Sequence, residues 1–447
     1  MNILLITIDA WRASHASFNP GSDPTYTPTL AAFAETGTVF TQAVSHGPST
    51  PYAFPAVFSS SLPLDYGGYE RLSDERVLLS EVLSTNGYRC VGVHGNPWLG
   101  GKYGYARGYD EYRDIGEFSI SFLDSGREVL IRRFGLDHPV YRMVQYLYRY
   151  ASDPIRRFWS GTSEVDVALE ALDSAVSDQF TWVHILTPHA PYTPPARHRA
   201  AVSMPAFSGS ATTLVTRAQH DPERLTERER AVVRGLYAAS VRHADEQVGR
   251  LLERVPDDTL VIVTADHGEA LFDHGQLGHE PALYDELIRV PLLVRPPGGR
   301  AGSVDTQVRH IDIAPTILDY AGIESPASFI GRSLRPAIEG AVDVDQISIA
   351  EVASTAQTPG RIDADALQVS VRLPHRKLLY RNGTTVGFDL TTDATEQHPI
   401  SDRTGVEWDP LKTALADRLA SLDVRSGARI DYDPRTEERL RDLGYLD

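Results

Sequence analysis

The chain of 447 residues is 42% hydrophobic and 23% charged, an ordinary globular composition with enough apolar residues for a large core. A formal net charge of -17 argues against nucleic acid as a partner, because binding phosphates takes a clustered cationic surface. A single cysteine, Cys90, leaves no intrachain disulfide and no thiolate metal cluster. No apolar run approaches the roughly 18 residues of a membrane span, so the expectation is a cytoplasmic protein without an integral membrane segment.

The first apolar run, Asn2 to Ile8, ends at Asp9. The stretch closing at Phe40 leads into a loop that carries Ser49-Thr50-Pro51, and Arg89 to Val93 stops at His94-Gly95-Asn96. Phe180 to Leu186 ends at Thr187-Pro188-His189, and Thr259 to Thr264 runs up to Asp266-His267-Gly268-Glu269. Runs this apolar, with Val290 to Val294 added, predict strands covered on both faces. Thr226 to Val255 repeats apolar residues about every 3.6 positions and opens with Thr226 and Glu229 spaced as a capping box, which predicts a long helix. The alternation predicts an α/β fold, a doubly wound and mostly parallel sheet, over residues 1–360.

Two regions depart from this pattern. Residues 118–160 are rich in Arg and Tyr and read as a helical insertion, either solvated helices packed on the sheet or a lid over an anionic or polymeric substrate. Residues 361–447 shorten to the runs Leu367 to Arg372, Lys377 to Tyr380 and Thr385 to Leu390, with a turn at Arg381-Asn382-Gly383 and a helix from about Pro410 to Leu422. They predict a small C-terminal antiparallel sheet plus helix.

In an open parallel sheet, ligands bind where the strands end at their carboxyl side. Asp266 and His267 can both reach one divalent ion, with Gly268 letting the chain turn tightly; an ordinary turn is the plain alternative. Asp9, ending a buried strand, needs a partner, either a metal or the amides of a helix it would cap. Ser49 and Thr50 are candidate nucleophiles, since coordination to a divalent ion lowers the pKa of a hydroxyl; here too a simple turn fits. His189 and His279 titrate near neutrality and suit holding a transferring group or protonating a leaving oxygen, unless they are structural.

The stretches Ile6 to Arg12, Tyr26 to Leu30, Gly37 to Phe40, Thr187 to Tyr192, Asp266 to Glu269, Leu283 to Leu292, His310 to Leu318, Gly331 to Leu334 and Leu443 to Leu446 come in a telling order. They resemble the successive motifs of the sulfatase branch of the alkaline phosphatase superfamily, along nearly the whole chain except Phe118 to Trp159. Some positions differ from that family's pattern. Sulfatases convert a Cys or Ser to formylglycine within Cys/Ser-x-Pro/Ala-x-Arg, and Ser49-Thr50-Pro51-Tyr52-Ala53 has Ala53 where the arginine belongs. Counting back from Phe58-Ser59-Ser60 places Thr50 at the nucleophile position and Ser49 one residue early. Ala10 replaces the second aspartate of the family's Asp-Asp pair, and Asn96 and Trp98 stand where it has lysine and histidine.

What the resemblance implies is a site for one divalent cation, Mn²⁺, Mg²⁺, Ca²⁺ or Zn²⁺, held by Asp9, Thr50, Asp266 and His267. That set is similar to the single-metal, threonine-nucleophile sites of the superfamily's phospho- and phosphoglycerol transferases. A second ion on His189 and His279 is the variant. Thr50 would form a covalent intermediate while His189 and His279 hold the group or assist the leaving oxygen. The implied activity is a metal-dependent hydrolase or transferase of a phosphate or sulfate ester, with phosphate favoured. The alternatives are a sulfatase using Ser49 or Thr50, and a catalytically degenerate sulfatase-like binding protein. The implied partner is an anionic ester, with a glycan or a lipid head group as candidates.

Overall fold

Apolar runs that end in polar clusters become the strands of one large sheet in the computed structural model, which describes residues 1–67, 71–115, 163–174, 178–279, 281–341, 344–353 and 366–422. The expected insertion at 118–160 and the closing stretch Leu443 to Leu446 lie outside the described residues. In chain order the strands are β1 (Ile3–Ile8), β2 (Thr38–Val44), β3 (Arg89–His94), β4 (Glu111–Asp114), β5 (Gln179–Ile185) and β6 (Leu260–Ala265). After a two-residue pair, β7 (Ala270–Leu271) and β8 (Leu277–Gly278), come β9 (Arg289–Arg295), β10 (Gly302–Val304) and β11 (Val308–Arg309). The sheet runs β10-β2-β9-β6-β1-β5-β3-β4, with β11 also on β2. Its pairings are parallel except where β9 lies antiparallel between β2 and β6, so the fold is α/β with a mostly parallel sheet.

Every residue of β1, β5 and β6 is buried, as expected for strands whose two faces are both covered. Register then decides where the chemistry goes. Ile8 stands opposite Ile185 on one side and Ala265 on the other, so Asp9 and Asp266 leave the sheet as neighbours. The ladder continues one step beyond the strands, with Asp9 N–H donating to Ile185 O at 3.0 Å and Asp266 N–H to Ile8 O at 3.3 Å. Strand pairing, rather than proximity in sequence, makes the two carboxylates meet.

The long helix spans Glu227–Leu252 and is capped as its sequence predicts: Thr226 accepts from Glu229 N–H and the Glu229 carboxylate accepts from Thr226 N–H. Its apolar face, including Val233, Leu236, Val241, Val248 and Leu251, joins the main core. Asp245 on the same helix accepts from Thr29 and Leu30 N–H, satisfying the first amides of the helix Pro28–Ala34.

The tail forms a four-stranded antiparallel sheet of β12 (Ser348–Val352), β13 (Gln368–Leu373), β14 (Arg376–Arg381) and β15 (Thr384–Asp389), followed by the helix Asp409–Ser421. Asn382 and Gly383 both have positive φ, 50° and 73°, the backbone a two-residue hairpin turn demands. The first strand of this sheet comes from before the expected boundary at 361, because Ser348–Val352 pairs with Gln368–Leu373 across a long connection that carries no turn signal at Val352. A second apolar cluster binds the tail to the rest: Val369, Val371, Leu378 and Leu411 pack with Val44, Tyr52, Leu283, Leu287 and Ile288. Asp285 anchors the same seam, taking Arg372 Nη2 at 2.9 Å and Lys377 Nζ at 3.1 Å.

Candidate metal centre and active site

Asp9, Thr50, Asp266 and His267 are all fully buried and come together at the carboxyl end of β1 and β6. The turn after β1 is tight: Ala10 has a φ of 54° and its N–H donates to Asp266 Oδ1 at 3.1 Å. No helix begins there, so Asp9 caps none. Thr50 is the first residue of the helix Thr50–Ser59, every residue of which is buried, with Ser49 at its N-cap. From that position the Thr50 hydroxyl donates to Asp266 Oδ2 at 2.9 Å. Ser49 makes no side-chain cap hydrogen bond.

Gly268 allows the loop after β6 to lie flat against a neighbour. A Cβ there would fall 2.0 Å from Glu286 O, and Gly268 N–H donates to Leu287 O at 2.7 Å. With the loop so held, His267 Nδ1 lies 2.7 Å from Gly268 O, which places the proton on Nδ1 and leaves Nε2 as a lone-pair nitrogen. That Nε2 sits 3.6 Å from both Asp9 Oδ1 and Asp266 Oδ2. Asp9 Oδ1 and His267 Nε2 have no hydrogen-bond partner, although both are buried. Two orphaned ligand atoms facing a second carboxylate fit a divalent cation.

His184, which the sequence did not single out, also belongs to this cluster: ligand atoms of Asp9, His184 and Asp266 lie within 4.8 Å of one another. Its two nitrogens are both engaged, Nδ1 with Thr7 Oγ1 at 3.0 Å and Nε2 with Asp9 Oδ2 at 3.2 Å. Geometry therefore makes His184 a support for Asp9, and His267 the better imidazole ligand. Asn96 has a similar duty. Its carbonyl accepts from Trp98 N–H, which turns the amide toward Asp9 Oδ2 at 2.9 Å and Thr50 Oγ1 at 3.2 Å. The residue standing in for a lysine is thus a neutral donor inside the site.

Electrostatics sharpens the picture. Burial works to raise Asp9, but the imidazoles of His189, His184 and His267 outweigh it and hold this carboxyl well below the usual range. Burial, and then the charge of Asp9, pushes Asp266 up to about 7. Two buried carboxylates without a cation between them resist double ionisation.

His189 and His279 stand beside the cluster, with ring centroids 5.0 Å apart and His279 4.6 Å from His267. Burial lowers His189, whose Nδ1 is turned to Ala190 O at 2.8 Å. Burial would lower His279 too, but the charge of Glu269 leads a set of interactions that raises it above the ordinary imidazole range. Asp9, Thr50, Asp266, His267, His189 and His279 thus lie in one cluster, and the structure adds His184 and gives Asn96 a role in it.

The family model described as Sulfatase matches residues 1–323. The chain belongs to the sulfatase family. Among curated sulfatases it is 38% identical over 103 residues to the uncharacterized sulfatase YidJ of Escherichia coli, a stretch covering 22% of this chain and 21% of that protein. It is also 38% identical over 110 residues to the N-acetylglucosamine-6-O-sulfatase of Bacteroides thetaiotaomicron, covering 23% of this chain and 20% of the other. The chain thus matches only about a fifth of the length of these relatives. In fold it is similar to the phosphonate monoester hydrolase of Agrobacterium radiobacter, with a TM-score of 0.69, 19% identity and coverage of 94% of this chain and 95% of that one.

Proposed function

We propose that this member of the sulfatase family is a divalent-metal-dependent hydrolase or transferase of a phosphate or sulfate ester, phosphate favoured, with Thr50 as its nucleophile. The observation that carries the reading is the Thr50 hydroxyl on Asp266 Oδ2, beside the orphaned Asp9 Oδ1 and His267 Nε2. Asp9, Thr50, Asp266 and His267 would hold the ion, which when bound supplies Lewis acidity toward the hydroxyl and the ester oxygens. Thr50 Oγ1 attacks the central atom as its proton passes to Asp266 Oδ2, and takes on the transferred group as a covalent ester, while the leaving oxygen departs opposite. His279 protonates that oxygen, and His189 holds the group. The Asn96 amide, whose nitrogen donates to Asp9 Oδ2 and Thr50 Oγ1, orients the attacking oxygen by dipole where the family's lysine would act by charge. Water or an acceptor alcohol then releases the group. The fold shared with a phosphonate monoester hydrolase supports phosphorus chemistry. The sulfatase family match and the likeness to an N-acetylglucosamine-6-O-sulfatase favour a second reading, a sulfate ester on a glycan.

The test is turnover of aryl phosphate, aryl phosphodiester and aryl sulfate by purified protein supplied with Mn²⁺, Mg²⁺, Ca²⁺ or Zn²⁺. Thr50→Ala is expected to abolish turnover, whereas Ser49→Ala costs on the order of ten- to a hundredfold at most. A dead Ser49→Ala beside an active Thr50→Ala, or formylglycine at Ser49 by mass spectrometry, overturns the nucleophile assignment. A protein that holds no stoichiometric ion and turns over none of the three esters is a binding relic instead.

A further inference from the structure

Glu269 follows the two metal-facing residues Asp266 and His267, and its carboxylate meets Tyr192 and His279. It is fully buried, and an ionised carboxylate in that setting is costly unless both oxygens have donors. Both do: Oε2 accepts from the Tyr192 hydroxyl at 3.0 Å, and Oε1 lies 3.0 Å from His279 Nδ1. The carboxylate has little freedom to follow the imidazole. Glu269 N–H is tied to Glu286 O at 3.1 Å, and Tyr192, itself fully buried, packs edge-on against Tyr237 with centroids 5.3 Å apart. Tyr237 in turn donates to Ala10 O at 2.7 Å, in the turn that carries Asp9. The imidazole is the member that must conform.

We propose that Glu269 is the positioning residue of His279, braced by Tyr192, and that it commits Nδ1–H of the imidazole to itself so that Nε2 is the nitrogen presented to the leaving oxygen. This rests on the reading of His279 as the group that protonates that oxygen. An imidazole free to flip would offer the wrong nitrogen or the wrong angle in part of its population, whereas a fixed carboxylate on Nδ1 removes both errors. The arrangement matches a nucleophile's base held by a third group, here applied to the leaving-group side.

A double-mutant cycle tests it, using whichever aryl ester is turned over and comparing a nitrophenolate leaving group with an unsubstituted phenolate. Glu269→Gln should lower kcat about 10- to 100-fold for the phenolate ester and far less for the nitrophenolate, which departs without a proton, with KM little changed. In a His279→Ala background, Glu269→Gln should cost nothing further. Tyr192→Phe, which keeps the packing, should show the same leaving-group dependence at about fivefold or less. The inference is overturned by an equal loss for both leaving groups, by an unchanged effect of Glu269→Gln in the His279→Ala background, or by loss of the bound divalent ion in Glu269→Gln. His279→Ala with full activity on the phenolate ester removes the reading of His279 and the inference with it, while an impaired His279→Ala beside an unimpaired Glu269→Gln removes the inference alone.

Discussion

Two buried charge clusters, one at the strand ends and one at the seam with the tail, are built on opposite plans. At the seam, Asp285 and Glu396 meet Arg372 and Lys377: Arg372 Nη2 lies 2.9 Å from Asp285, and Lys377 Nζ lies 3.1 Å from Asp285 and 2.7 Å from Glu396. Two acids face two permanent cations. At the strand ends, Asp9 and Asp266 face imidazoles and an amide, and among the described residues neither pairs with Lys or Arg. Burial of charge alone, then, does not mark a functional site; imbalance does. The seam is closed on itself, whereas the strand-end cluster leaves Asp9 Oδ1 and His267 Nε2 buried without a hydrogen-bond partner, as a cation site would.

The seam is the place where the largest loss of stability is expected. Lys377→Met leaves Asp285 and Glu396 short of a cation in a dry setting and should cost about 3 to 5 kcal/mol in urea unfolding. An unchanged midpoint would show that the seam does not hold the tail. At the strand ends, the contrast is drawn with metal. Adding the preferred divalent ion to chelator-stripped protein at about 100 times its Kd should raise unfolding free energy by about 2.7 kcal/mol, and Asp266→Asn should lose that gain. An equal gain in Asp266→Asn would take Asp266 out of the metal centre.

The last effect is in pH, again on stripped protein. Asp266, with a carboxyl raised from 3.8 to about 7, keeps a proton in the folded state that the unfolded chain has already released. Across that window Asp266 binds more protons in the native state, so its contribution to stability is present near pH 4 and is lost as pH rises toward 7. Asp266→Asn should flatten this slope, and the metal should reverse it by favouring the ionised pair. A slope unaltered by Asp266→Asn places the titrating group elsewhere.

Much of this was legible in the sequence because both-face burial writes itself as unbroken apolar runs, and because the residue types of Thr226 with Glu229 and of Asn382 with Gly383 carry local geometry. Asp9, Asp266 and His267 could be singled out since they close such runs, and Thr50 by counting back from Phe58-Ser59-Ser60 in the stretch that resembles the family's. His184 could not. It lies inside β5, where one polar residue in a strand has no local signal, and it reaches Asp9 only because Thr7 pairs with His184 in register. Asn96 read as a lost charge; its amide is aimed by Trp98 N–H, a contact made within its own turn but with no meaning until Asp9 and Thr50 are in place. β12 escaped for a similar reason, as its partner is set by pairing across a connection rather than by a turn.

One contact between the two clusters has a consequence for how the protein is made. The loop bearing Asp266 and His267 rests on Glu286 O and Leu287 O, in the turn whose Asp285 is clamped by Arg372 and Lys377. A ribosome delivers Asp9, Thr50 and His267 well before it delivers those two cations, so the nascent chain holds its ligands before it holds their frame. The contacts that brace this loop are therefore complete only once the tail has emerged past Lys377.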